Sequence, residues 1–323
     1  MGNNFWKGKE VLVTGGAGFI GSHLIEMLIE TGAKITVPIF NGKIDFLNNV
    51  KDKITIINAN LLDFKNCLDL THKKDIIMNL AALVGGLEFN IKHPGSIFRN
   101  NLLIFMNVLE AARQNKVANF LTVSSACVYP RYCTIPTPEE EGFKDRPEPT
   151  NEGYGWAKRM EEFMSKAYMK EYRMKIAVAR PYNAYGPRDN FNPKSSHVIP
   201  AIIKRVLDEE NPLVIWGNGQ QSRAFLYVTD FCRGLMVLTE KCDDAKAINL
   251  GTDKEVSIKE LVKQILKVTG KNPEVIFDIS KPTGQPRRNC DITKAKQLGF
   301  EAIVPLEEGL KKTVAWYLKW MKK

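Results

Sequence analysis

The sequence predicts an α/β protein, a doubly wound parallel sheet that carries a smaller mixed α/β lobe. Three observations predict it: short β-branched strands alternate with amphipathic helical stretches, a glycine cluster joins the first strand to the first helix, and the texture changes after Pro181. At 323 residues the chain exceeds the roughly 250–300 at which a single core stops growing, so two lobes are expected. Residues 1–180 are assigned to the first lobe, with part of 221–251 returning to it, and 181–323 mainly to the second.

In order along the chain, EVLVT (10–14) is an apolar run bounded by glycine, and HLIEMLIE (23–30) has helix period and stops at Gly32. KITVPIF, KITIINA and DIIMNLAA are further short strands. NLLIFMNVLEAARQN (101–115) reads as a long amphipathic helix, NFLTVSS as the next strand, GYGWAKRMEEFMSKAYMKEY as a second long helix and KIAVAR as a sixth strand. Residues 181–222 are rich in Pro, Asn and Gly. Beyond them short strands (AINLG, EVIFD) mix with helices (SIKELVKQILKVT, LEEGLKKTVAWYLKW), a second lobe interleaved with the end of the first.

Composition narrows the classes. With 44% hydrophobic and 25% charged residues the chain has a globular make-up. The first strand arrives too early for a signal peptide, and no apolar run approaches the roughly 18 residues of a membrane span, so a cytoplasmic protein without membrane contact is expected. The six cysteines form no CxxC or Cys/His cluster, which predicts reduced thiols and neither a metal site nor a disulfide framework. The net charge of +10 suits an anionic partner, but the cations are dispersed over faces such as Lys259, Lys263 and Lys267. Without a basic stripe interleaved with aromatics, a phosphorylated small molecule is favoured and nucleic acid is not.

TGGAGFIG (14–21) lies directly after the first strand and opens the first helix, with Gly15, Gly18 and Gly21 at G-x-x-G-x-x-G spacing and Phe19 and Ile20 between them. Glycines so placed allow a tight turn, let backbone N–H groups approach a pyrophosphate, and let helix pack on strand: the Rossmann signature of a dinucleotide site. NLLD and NLAA end the third and fourth strands, so Asn60, Leu61, Leu80, Ala81 and Ala82 join the expected cofactor set, as does Asn101. The second strand ends VPIFNGK, with Ile39 near the position where an acidic residue would bind the ribose of NAD. NADP is thereby permitted, Lys43 could attract its 2′-phosphate, and the cofactor is read as NAD or NADP.

Tyr154 and Lys158 in YGWAK lie four apart at a helix start and share a face. An ammonium beside a phenol favours the phenolate, so the tyrosine is expected to titrate nearer neutrality and serve as a base toward an alcohol. Upstream, SSACVYP (124–130) places a cysteine among hydroxyls: small core filling, a structural thiol, or an acid/base. Period-two alternation would put Ser125 and Cys127 on one side and Ala126 on the other. Of the other histidines, His23 belongs to a structural helix, and His72 and His93 have no supporting context.

The glycine motif, the Ser-Tyr-Lys set, RPYNAYGP, the arginine of QSRAFLYVTD and PTGQPRRNCDITKAKQLGF span nearly the whole chain. On these the sequence resembles the extended short-chain dehydrogenases/reductases that act on nucleotide sugars. Within that family VGG (84–86), EPTNEGYGWAK, GPRDNFNPKSSHVIPAIIKR and PTGQPRR are most similar to GDP-L-fucose synthases, and SSAC and WGNGQQSRAF to GDP-mannose 3,5-epimerases. The resemblance implies that Ser125 touches the sugar, that Tyr154 and Lys158 relay a proton, and that Cys127 and His197 are an acid/base pair. Thiol and imidazole both titrate within about two units of neutrality, which suits proton exchange at C3 and C5 beside a C4 ketone.

The same resemblance implies that Asn183, Arg223 and Arg287 or Arg288 hold the nucleoside diphosphate, that Arg205 lines the pocket, and that a homodimer forms through helices 101–115 and 151–172. Trp216 is expected near the base or ribose, or else in the core of the lobe. The expected activity is that of an NAD(P)-dependent nucleotide-sugar epimerase/reductase acting through a 4-keto sugar, with a GDP-linked substrate favoured. TGGAGFIG lacks the arginine fucose synthases carry there, which keeps a redox-neutral NAD-dependent 4-epimerase as the alternative. A dehydratase is disfavoured because 125–127 read SAC without an acidic pair, and a non-catalytic NAD(P)-sensing protein is opposed by the intact Tyr/Lys pair.

Overall fold

In the computed structural model, which describes residues 5–40, 42–85, 87–193, 195–281 and 285–321, β1 (Glu10–Thr14) runs through the glycine loop into α1 (Phe19–Glu30). β2 (Lys34–Ile39), β3 (Ile54–Asn58), α2 (Phe64–Thr71), β4 (Ile76–Asn79), α3 (Leu87–Lys92) and α4 (Pro94–Gln114) follow. β5 (Asn119–Val123), α5 (Glu152–Tyr172) and β6 (Lys175–Pro181) complete the first run. Then come β7 (Ala184–Tyr185), α6 (Val198–Leu207), β8 (Leu213–Trp216), β9 (Ser222–Ala224), β10 (Leu226–Tyr227), α7 (Val228–Lys241) and β11 (Asp244–Leu250). β12 (Glu255–Ser257), α8 (Ile258–Thr269), β13 (Val275–Asp278), β14 (Arg287–Arg288), α9 (Thr293–Gln297) and α10 (Leu306–Met321) end the described chain.

Seven strands form one sheet in the order β3-β2-β1-β4-β5-β6-β11, with every neighbouring pair parallel. Its central strands β1, β4 and β6 send apolar side chains to both faces because helices cover both. Val11 and Val13 of β1, Ile76 and Met78 of β4, and Ala177 and Ala179 of β6 pack into one core. Leu12, Ile77, Ile176 and Val178 pack into the other. Residues of AINLG lie in β11 and so return to this sheet beside β6, while α7 shares the first core with Leu24, Ile25 and Leu28 of α1. The strand order reverses between β1 and β4, the crevice where open parallel sheets bind ligands.

The remaining strands pair outside that sheet: β8 with β13, and β9 with both β12 and β14. They pack with α6, α8 and α10. In α8 the apolar stripe Ile258, Leu261, Val262 and Ile265 is buried, the Ser257 hydroxyl accepts the Glu260 N–H at 3.1 Å, and Gly270 ends the helix in the left-handed region. The helix expected at 101–115 starts at Pro94, because proline serves well at the first helical position. Among the described residues no helix is long and apolar enough to cross a membrane.

Candidate active site

The glycine loop is built for an anion. Gly15 sits at φ +67°, and a Cβ there would meet the Ala81 nitrogen and the Leu80 carbonyl carbon, each at 2.9 Å, so this glycine lets β1 touch the loop after β4. A Cβ on Gly21 would strike the Gly15 carbonyl oxygen at 2.3 Å. Gly18 differs: it caps α1 without any side-chain bond, no acidic residue stands in the first turn, and a Cβ there would meet only the Gly15 oxygen at 3.3 Å. The first N–H groups of α1, from Phe19 onward, therefore point from a positive helix end into space that only a glycine leaves open. This cradle fits a dinucleotide pyrophosphate.

Around it, the Thr14 hydroxyl donates to Asn79 Oδ1 at 2.6 Å and accepts the Ala81 N–H at 3.0 Å, fixing Leu80, Ala81 and Ala82 against the loop. Asn60 Oδ1 accepts the Leu62 N–H and orders Asn60 and Leu61 after β3. Asn101 departs from its expected role as a cofactor contact. It is buried, and its amide is committed to Leu83 N–H, Leu83 O and Ile97 O, so it braces the loop after β4. Ile39 ends β2, and Lys43 is exposed.

Tyr154 and Lys158 lie on the first turns of α5. Gly155 between them is required, because a Cβ would meet the Cys127 carbonyl oxygen at 2.5 Å; its absence lets the helix start press against the SSAC turn. Lys158 is buried and donates to Val123 O and to Glu161 Oε2, each at 2.9 Å. Its Nζ is 5.5 Å from the centroid of the Tyr154 ring. The expectation that Lys158 brings the phenol toward neutrality is not met: burial pushes Tyr154 up to about 12, with Lys158 and the Ser125 hydroxyl opposing. The lysine's charge is shared with Glu161, whose carboxyl burial pushes up to about 7 against the pull of Lys158. Glu161 was not expected here, although its i+3 spacing from Lys158 is a readable signal.

The SSACVYP run does not continue the pleat of β5 as period-two alternation expects. β5 ends at Val123, and Ala126–Val128 is a turn of 3-10 helix capped by Ser125, whose hydroxyl accepts the Cys127 N–H at 3.1 Å. Ser125 and Cys127 both reach the Tyr154 neighbourhood through this turn, not through strand pleating, while Ala126 is buried. Cys127 is half-buried, and Arg288 Nη2 lies 3.9 Å from its sulfur. A cavity of about 540 Å³ opens beside the turn, lined by Ala126, Tyr129, Cys133, Glu148, Tyr182 and Arg288.

Between Arg287 and Arg288 the structure separates the roles. Arg287 is exposed and forks onto Glu255 at 2.6 and 3.2 Å. Arg288 reaches Cys127 and lies opposite Arg223 in the β14–β9 register. Among the described residues neither Arg223 nor Arg288 has a carboxylate within 4 Å, and burial, with Arg288 adding to it, pulls Arg223 down to about 10. Arg205, expected in the pocket, is instead bound to Glu210 and to the Val214 carbonyl and fastens α6 to β8. Asn183, in the left-handed region at φ +24°, donates to Ala224 O at 2.9 Å, and Trp216 is 55% exposed and so is not lobe core.

His197 is the N-cap of α6, and its side chain is 78% exposed, with Nδ1 3.9 Å from Asp189 Oδ1. The Asp189 carboxylate raises it above the ordinary histidine range, and the charge of Arg288 opposes. Lys194, Gly86 of VGG and Pro282, Thr283 and Gly284 of PTGQPRR lie outside the described residues. Among the described residues no group of three or more His, Cys, Asp or Glu is placed to hold a metal.

A parallel sheet with a dinucleotide cradle at its switch point and a Tyr/Lys pair beside it defines an NAD(P)-dependent enzyme. Residues 11–251 match the NAD dependent epimerase/dehydratase family, and the chain belongs to it. It is 33% identical over 318 residues to the probable GDP-L-fucose synthase 1 of Oryza sativa subsp. japonica, covering 97% of this chain and 93% of that one. It is 32% identical to the GDP-L-fucose synthase of Escherichia coli strain K12, covering 96% and 97%. Among solved structures, the UDP-glucose 4-epimerase of Thermotoga maritima superposes with a TM-score of 0.87 at 30% identity, covering 97% of this chain and 99% of that one.

Proposed function

We propose that this enzyme epimerises a GDP-linked 4-keto sugar at the carbons flanking the ketone and then reduces it, as a GDP-L-fucose synthase does. The observation that carries this is the cluster of Cys127 and Arg288 on one side of the crevice with Tyr154 and Lys158, where a 4-epimerase has no need of a thiol. When bound, the reduced cofactor NAD(P)H would supply the hydride to C4 and leave as NAD(P)+. Tyr154 gives its proton to the C4 oxygen, and Lys158, fixed by Val123 O and Glu161, holds positive charge beside the phenol. Cys127 and His197 exchange the protons on the carbons that the ketone acidifies, one as base and one as acid. Arg223 and Arg288, neither of which has a carboxylate within 4 Å among the described residues, offer guanidinium groups to the diphosphate and the sugar.

The reading is tested by incubating the protein with GDP-4-keto-6-deoxymannose and NADPH in deuterated water. Ring deuterium together with NADPH consumption is expected; no exchange refutes the proposal. The glycine loop and the likeness to the Thermotoga maritima 4-epimerase favour one second reading, a redox-neutral 4-epimerase. That reading requires interconversion of C4 epimers with no net NADPH consumption and no deuterium at C3 or C5. A homodimer through α4 and α5 is part of the proposal, supported by the exposed Leu103 and Met106 of α4 and Phe163 and Tyr172 of α5.

A further inference from the structure

Helix N-caps favour Ser, Thr, Asp and Asn because their side chains accept a free helix N–H. His197 holds that place on α6 and makes no capping bond. Its imidazole stands instead 3.9 Å from Asp189 Oδ1. Asp189 is buried, and Oδ1 already accepts the Asn190 N–H at 2.7 Å. Oδ2 is buried too and has no hydrogen-bond partner among the described residues. A buried carboxylate with an unanswered oxygen is costly unless it faces a cation, and His197 is the one ionisable partner within 4 Å of it among the described residues.

The carboxylate is also held in place. His23 Nε2 bonds to Pro187 O at 2.9 Å, and Arg188, in the left-handed region at φ +69°, donates to Glu26 at 2.6 Å. Both His23 and Glu26 lie on α1, the helix that carries the dinucleotide cradle. The Asn190 amide donates to Ser195 O and Oγ and closes the loop, which brings positions 189 and 197 together.

We infer that Asp189 is a positioning residue: anchored on α1, it turns Nδ1 of His197 toward its carboxylate and leaves Nε2 as the nitrogen that meets substrate. The charged groups that face His197 are Asp189, which favours the imidazolium, and Arg288, which opposes it. The inference rests on the proposed acid/base pair and assigns His197 as its acid.

The test is a titration by NMR of the full chain with 13C-labelled histidine, in wild type and Asp189→Asn, with the His197 signal assigned through His197→Gln. The wild-type midpoint is expected above the ordinary value of 6.5 and is expected to fall in Asp189→Asn. For each unit of fall the acid form on the alkaline side drops about tenfold, and the alkaline limb of ring-proton exchange moves to lower pH with it. An unmoved midpoint overturns the inference. So does a wild-type midpoint at or below 6.5, a result that needs no variant to fold. Retained exchange in His197→Gln would instead overturn the acid assignment, while the effect of Asp189 on the titration would stand.

Discussion

Two glycines of the TGGAGFIG run, Gly18 at the cap of α1 and Gly21 inside it, should fail in opposite ways when each is replaced by alanine. At Gly21 the new methyl would lie 2.3 Å from the Gly15 oxygen and 2.6 Å from the Gly16 Cα, both backbone atoms that cannot swing aside. Overpacking of this kind costs about 1–3 kcal/mol, so Gly21→Ala should lower the unfolding free energy by that amount. At Gly18 the methyl meets only the Gly15 oxygen at 3.3 Å, and φ is −80°, which alanine adopts freely. The weaker cap and the stiffer unfolded chain offset one another to within about 1 kcal/mol, so the fold should survive Gly18→Ala. The methyl nevertheless stands before the free N–H groups of α1. If it denies the pyrophosphate two charge-assisted hydrogen bonds of about 1.5–3 kcal/mol each, NAD(P)H binding weakens roughly 10²–10⁴-fold. Urea unfolding of the cofactor-free protein and fluorescence titration with NADH and NADPH separate the two effects. Wild-type cofactor affinity in Gly18→Ala would refute the assignment of this helix end to the pyrophosphate.

The other expectations are simpler. Cys127→Ser should abolish ring-deuterium incorporation while leaving cofactor affinity within about twofold; an unimpaired variant would return the cysteine to filling space. Glu162→Ala strips the bidentate partner, at 2.6 and 2.8 Å, from buried Arg180 and should cost about 3–5 kcal/mol in urea unfolding, with a loss under about 1 kcal/mol contradicting the ion pair. Glu161 is held at about 7 in the folded state against 4.5 unperturbed, so its contribution is fully present below the unfolded value and lost as pH rises through about 7. Relative to Glu161→Gln, the wild type should lose about 1–3 kcal/mol between those pH values, and parallel stability profiles would show that the shift is absent. Phe163, exposed on α5, should report the proposed dimer: Phe163→Asp is expected to sediment as a monomer, and an unchanged oligomer would place the interface elsewhere.

What the residues alone disclosed, and what they did not, follows from the range of the interactions. The sheet was legible because short apolar runs and the glycine turn are local, and the central strands β1, β4 and β6 send apolar side chains to both faces. The 3-10 turn at Ala126–Val128 was not, because Ser125 capping the Cys127 N–H competes with strand pleating, and tertiary contact with α5 decides between them. The Tyr154 phenol differs from its sequence expectation for a related reason: spacing shows Lys158 four residues away but gives no measure of burial, which outweighs it. Asp189 stands eight positions before His197 in a segment without periodicity, and only the fastening of that loop to α1 brings the two together. The paired arginines are the sharpest case. Adjacent residues of a strand project to opposite sides, so Arg287 and Arg288 cannot both face the thiol. Which one does depends on the register of β14 against β9, where Arg288 falls opposite Arg223 and Arg287 opposite Ser222. Shifting that register by one residue would send Arg288 to Glu255 and bring Arg287 to Cys127, so parity in a two-residue strand chooses which cation serves the site.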